Sequence, residues 1–246
     1  METTINTDLF LGERLNYFKD SIPLQLESQT FKKALELRNN LFNKKSEPDF
    51  ELITYCSEIL TWGRMHKRNK EIFESKNSTN WQHLVKEILN GDVNRKEAFS
   101  RFQNLRSNKD LNGMGIAYFT KLIFFLMPDN LPRGYIMDQW VACSINVLYG
   151  KDEVIMNSSH TPKIYTKNNF EENISVGDII KMSNYIVSDL NDANVYERYC
   201  LKIEELSNII GQSACTTELL LMSSGGRKPD NWRNYVIEKR IPFESI

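Results

Sequence analysis

Long apolar runs are missing from this chain: the longest, Leu122 to Met127, falls far short of the roughly 20 residues a membrane-spanning helix needs. The opening stretch METTINTDLFLGERL also lacks a basic segment followed by an apolar one. A soluble, cytoplasmic protein is therefore expected, with no membrane partner. Cysteine and histidine are scarce and scattered, at 56, 143, 200 and 215 and at 66, 83 and 160. No C-x-x-C occurs, so neither a zinc site nor the closely set thiolates of an iron–sulfur cluster is expected. The thiols read as reduced, buried small hydrophobes, and no metal or organic cofactor is implied. An excess of one charge is absent too: 31 basic residues stand against 32 acidic ones, which gives the chain as a whole no attraction for a polyanion. There is no G-x-G-x-x-G or Walker-type loop and no train of alternating strands, which argues against a doubly wound nucleotide-binding fold.

What is present is helical periodicity. The 246 residues are 41% hydrophobic, enough for a well-buried core. In TFKKALELRNNLF, Phe31, Leu35, Leu37 and Leu41 recur at near-helical spacing, as do Phe50, Ile53, Ile59 and Leu60 in DFELITYCSEILTW. Trp81, Leu84, Val85 and Ile88 form a third stripe, and Ala98, Phe99, Phe102 and Leu105 a fourth. The stretch 151–173 mixes turn formers with short β-branched pieces and is read as a surface excursion with at most a short hairpin. Beyond it, VGDIIKMSNYIVSDLN is read as a helix opening near Asp178, and NVYERYCLKIEELSNII as a long helix with Tyr196, Tyr199, Ile203 and Leu206 inward. The expected class is mainly α.

Chemistry concentrates within 105–150. Leu111-Asn112-Gly113-Met114-Gly115 is an L-x-G-x-G turn running directly into the apolar segment Ile116 to Met127. Two glycines one residue apart permit a tight turn and leave backbone N–H groups bare at a helix N-terminus, where an anion is favoured. Pro128 and Pro132 then break the chain, and Asp138 precedes QWVACSINVLY, a new helix. As an N-cap alone Asp138 would contribute about 1 kcal/mol; as a functional group it could stabilise a cationic, oxocarbenium-like sugar. Lys121 is the lone lysine between Gly115 and Met127. Burial would favour its neutral amine, the form that attacks carbon, whereas the simpler role is a snorkelling cation on phosphate or a carboxylate.

Turn, apolar helix, short loop and capping aspartate together resemble the helix-hairpin-helix DNA glycosylases, and among them the 8-oxoguanine DNA glycosylase-like proteins. The resemblance rests on LNGMG at 111–115, FTKLIFFL at 119–126 and YIMDQW at 135–140, with looser likeness in TWGRMHKRN at 61–69 and TELLLMSSGGRKPDNWR at 217–233. It implies one two-lobed helical domain over 1–246 that flips out a damaged base of double-stranded DNA and excises it, with no obligatory protein partner. It implies that Gly113, Met114 and Gly115 grip the DNA backbone and that Asp138 assists departure of the base. In bifunctional members a lysine two residues after the second hairpin glycine forms a Schiff base with the sugar. That position here is Ala117; Lys121 lies one turn further along the same face, since four steps of about 100° return to within about 40°.

The acid-free run WGRMHKRNK supplies further candidates. Arg64, Lys67, Arg68 and Asn69 would clamp phosphates, and Trp62, Gly63 and Met65, with Trp140, could line a base pocket. Tyr196, Tyr199 and Trp232 are outer candidates, and Arg227, Lys228 and Arg233 form a second basic island. Competing readings remain: a non-catalytic helix-hairpin-helix DNA-binding module, a glycosylase acting on modified bases of invading DNA, or a helical scaffold. The scaffold would be favoured if the hairpin and the basic islands lay on unrelated surfaces.

Overall fold

A computed structural model describes residues 7–240 except 27–28, 48–49, 64, 66, 68, 70, 72–78, 112, 166–179 and 223–230. Among the described residues there are ten helices and one two-stranded sheet. In chain order these are α1 (Thr7–Leu26), α2 (Gln29–Lys44), α3 (Leu52–Trp62), α4 (Thr79–Asn90), α5 (Arg95–Ser107), α6 (Ile116–Leu126), α7 (Gln139–Tyr149), β1 (Met156–Tyr165), β2 (Ile180–Val187), α8 (Ala193–Ile210), α9 (Ala214–Met222) and α10 (Asn231–Lys239). The protein is mainly α, as its periodicity predicts, and no described helix is long and apolar enough to cross a membrane.

Helix α6 is the central element. Nine of its eleven residues are buried, all but Ala117 and Tyr118. A helix that is apolar nearly all round belongs in a core, and α2, α3, α4 and α5 pack against it. Phe119 meets Phe102 and Phe99 at ring separations of 5.3 and 5.1 Å, and Phe99 stacks on Tyr196 of α8 at 4.4 Å. Each such buried ring contributes on the order of 1.5–3 kcal/mol by its removal from water. Pro128 follows the last turn of α6 and cannot continue it.

Helix starts follow their caps. Asn94 accepts from Glu97 N at 2.9 Å to open α5, and Asp192 accepts from Asn194 N and Val195 N at 2.9 and 2.8 Å to open α8. The buried face of α8 contains Tyr196, Tyr199, Ile203 and Leu206, the stripe read from the sequence. Arg95, 3% exposed, joins α5 to α8 through Glu197 and Glu204, which is why a full charge tolerates that depth.

The segment around Asp178 to Asn191 departs from expectation. Instead of a helix, Ile180–Val187 is strand β2, antiparallel to β1, with Met156 opposite Val187 and Tyr165 opposite Ile180. The reason is period: Tyr185 and Val187 are buried while Ile186 between them is 55% exposed, an alternation of two rather than 3.6. The hairpin thus reaches well past 173, to residue 187. Asn191, wholly buried, ties its base down by donating to Ile155 O and Ser188 O and accepting from Ile155 N.

Candidate active site

The turn before α6 is held by backbone. Gly113 has φ of +81°, a left-handed conformation that disfavours a side chain, and Gly115 is the N-cap residue of α6. The Leu111 and Met114 side chains are each 2% exposed, so neither is free to meet a ligand. Gly113 O accepts from Asn69 Nδ2 at 3.4 Å, which brings the end of the WGRMHKRNK run against the turn. Lys67 is fully in solvent, with Glu71 3.8 Å away. Arg64 and Arg68 lie outside the described residues.

One turn into α6, Lys121 shares a face with Ala117 and Tyr118, the two residues of that helix that are not buried. This face borders a cavity of about 550 Å³, lined also by Trp62, Gly63, Gly115, Asp138, Trp140 and Arg233. The Lys121 side chain is 6% exposed, and Nζ donates to Ala117 O at 2.7 Å. Nζ lies 4.0 Å from Asp138 Oδ2. Burial pushes the ammonium below the usual lysine range, while the charges of Asp138 and Glu218 act in the opposite direction.

Asp138 divides its oxygens between two tasks. Oδ1 accepts from Trp140 N at 2.8 Å and from Val141 N at 3.0 Å, capping α7. Oδ2 is the atom nearest the amine. Three hydrogen bonds fix the extended segment leading to it: Met137 N donates to Thr120 Oγ1 at 3.0 Å, Tyr196 Oη donates to Tyr135 O at 2.9 Å, and Tyr199 Oη donates to Ile136 O. The phenols of Tyr196 and Tyr199 are therefore girders beneath the aspartate. They are wholly buried and do not line the cavity.

Gly63 has a requirement invisible in the sequence. A Cβ there would stand 2.5 Å from Lys121 Cδ and 2.9 Å from Cε, so the lysine stem passes through the space a side chain would fill. Trp62 packs edge-on to Phe125 at 5.0 Å, with its indole N–H buried and without a partner. Met65 is 7% exposed and does not reach the cavity, which corrects its assignment to the pocket. Trp232 is core as well, donating from Nε1 to Ser144 Oγ at 3.0 Å.

The opposite wall combines residues of α10, the start of α7 and β2. The Arg233 guanidinium lies 4.1 Å from the Trp140 ring centroid, and the Gln139 amide, turned to suit its neighbours, donates its Nε2 to Tyr185 O at 2.8 Å and accepts at Oε1 from Trp140 Nε1 at 3.0 Å. Tyr185, Ile186 and Val187 of β2 thereby close one side, and Arg106 pairs with Asp189 at 2.7 Å on the rim. Sequence reasoning missed this strand contribution, whose signal was the aromatic and β-branched run YIV at 185–187. It also missed Glu218, a buried carboxyl on α9 whose signal was an acid in the apolar run TELLLM.

The chain matches, over residues 37–221, the family described as "putative 8-oxoguanine DNA glycosylase OGG-like protein". The match spans well over half of the chain, and the chain belongs to that family of DNA glycosylase-like proteins. No curated protein and no solved structure gives a significant match.

Proposed function

We propose that the protein excises an oxidised purine, 8-oxoguanine in the first instance, from double-stranded DNA, and that Lys121 is the attacking amine. The observation that carries the reading is the buried Lys121 Nζ, 4.0 Å from Asp138 Oδ2 on the wall of the cavity. The glycosidic carbon is unreachable inside a stacked duplex, so the target nucleotide must be turned out into that cavity. Gly115, the Trp62–Gly63 pair and Arg233 border one space, and Asn69 touches the turn. This common location favours a nucleic-acid enzyme over a scaffold with unrelated surfaces.

In the proposed reaction neutral Lys121 donates its lone pair to C1′ of the sugar, forming the new N–C1′ bond, as the glycosidic bond breaks and the base leaves with the electron pair of that broken bond. Asp138 stabilises positive charge developing on the sugar from the side opposite its helix cap. The nitrogen loses a proton and the sugar ring opens, giving an imine. Abstraction of a C2′ proton then expels the 3′ phosphate by β-elimination, so strand nicking accompanies base removal. Main-chain N–H groups at the Gly113–Gly115 turn, with Lys67 and Asn69, hold phosphates and position the duplex without reading sequence. Release of free 8-oxoguanine from a defined duplex, quantified by mass spectrometry, tests this reading. Release abolished by Asp138→Asn supports it; binding without release of that base would leave a DNA-binding module or a glycosylase for another modified base.

A further inference from the structure

Helix α9 carries Glu218, whose charge acts on Lys121 and on which Asp138 acts in turn, although it does not line the cavity. Its side chain is wholly buried, and neither carboxyl oxygen has a hydrogen-bond partner. An acid sealed in this way without a structural bond to make is costly and calls for a reason. Helix α9 packs on α7, α8 and α1, and Ser144 Oγ of α7 donates to Leu221 O at 2.9 Å, one turn from Glu218. The Ile136 amide, two residues before Asp138, faces the carboxyl outside hydrogen-bonding geometry. Asp138 and Lys121 act on it from the active site and Arg133 from the loop before α7. Tyr199 of α8 and Cys215 on its own helix feel its charge in turn. None of the charges acting most strongly on Glu218 comes from α1.

Resting on the reading that Lys121 is the reacting amine, we propose that Glu218 is a positioning residue that governs that amine through charge. Neutral, it leaves Lys121 free to lose its proton beside a single carboxylate; ionised, it adds a second negative charge and holds Lys121 as ammonium. Glu218 does not line the cavity and so does not touch substrate. Burial and the neighbouring Asp138 both press it toward the neutral form, well above the ordinary carboxylate range. Glu218 and Lys121 thus compete for protons within one buried cluster. The first proton the cluster surrenders on going to alkaline pH comes partly from Glu218 and partly from Lys121, so the two titrate as a coupled pair.

The test needs no DNA and therefore separates this inference from the glycosylase reading. The rate of Lys121 acetylation by limiting acetic anhydride is measured against pH on the folded protein, with the modified peptide quantified by mass spectrometry. The wild-type profile is expected to rise in two limbs. Glu218→Gln should give a single limb displaced toward acid by about one pH unit, which is about tenfold more labelling at a fixed pH below the midpoint. Glu218→Leu should reproduce that displacement, since both substitutions remove the charge. A single-limbed wild-type profile, or variant profiles that superimpose on wild type or move toward alkali, would overturn the proposal. A merely structural carboxyl would alter the amount of folded protein and leave the midpoint unmoved.

Discussion

Replacing Gly63 by alanine separates catalysis from folding. The backbone there has φ −69° and ψ 3°, which alanine can adopt, so no strain is introduced. The new methyl would nevertheless stand 2.5 Å from Lys121 Cδ, where carbon atoms prefer about 3.5–4.0 Å. The lysine stem is flexible and must retreat by about 1 Å, carrying Nζ away from Ala117 O and Asp138. Displacement of that size at a reacting centre costs about 10²-fold in rate, while the less flexible unfolded chain offsets any packing loss by about 0.4–1 kcal/mol. Single-turnover imine formation on an abasic-site duplex should therefore fall about 10²-fold, with urea-unfolding stability within about 1 kcal/mol of wild type. Wild-type imine rates in Gly63→Ala, or a loss of several kcal/mol in stability, would refute the claim that this glycine exists to pass the lysine.

Other consequences follow from the same geometry. Asp138→Asn should abolish base release yet keep stability within a few tenths of a kcal/mol of wild type, because asparagine caps helices about as well as aspartate; base-release assays and melts on one preparation check both. Glu218 has a native pKa raised above its unfolded value of 4.5, so its relative stability is present below pH 4.5 and is lost as pH rises toward the native value. Across that window Glu218→Gln should gain about 1.4 kcal/mol per pH unit over wild type in urea titrations, and a constant difference would contradict the buried-acid assignment. Arg95→Met should cost about 3 kcal/mol in the same melts, because Glu197 and Glu204, each about one-third exposed, would face each other without their shared cation. Lys67→Ala should weaken DNA binding uniformly across sequences and reduce the salt slope by about one. An unchanged slope would remove Lys67 from the phosphate contacts.

The mainly α class and the line from Leu111 to Tyr149 were legible because strong local signals agree there. Two glycines, an apolar run, two prolines and a capping aspartate each constrain the backbone within a few residues. Lys121 stood out as a lone charge on an apolar helix, and the structure sets it beside Asp138. What was not legible depends on contacts distant along the chain. Tyr196 and Tyr199 resemble pocket aromatics in sequence, and only packing of α8 against residues 135–136 shows that their hydroxyls secure the Asp138 segment. Met65 follows two cavity residues closely but turns into the core. Strand β2 contains apolar residues that suit either period, and pairing with β1 decided between them. Glu218 is separated from Lys121 by 97 positions in the chain, a juxtaposition no local pattern encodes.

The most direct test of the central claim is borohydride trapping on a labelled duplex carrying 8-oxoguanine opposite cytosine, read by denaturing electrophoresis for wild type and Lys121→Gln. A covalent protein–DNA band in wild type that disappears in the variant is the predicted result. A band that persists in Lys121→Gln would place the nucleophile on another amine, and excision with no band from either protein would contradict imine chemistry at this site.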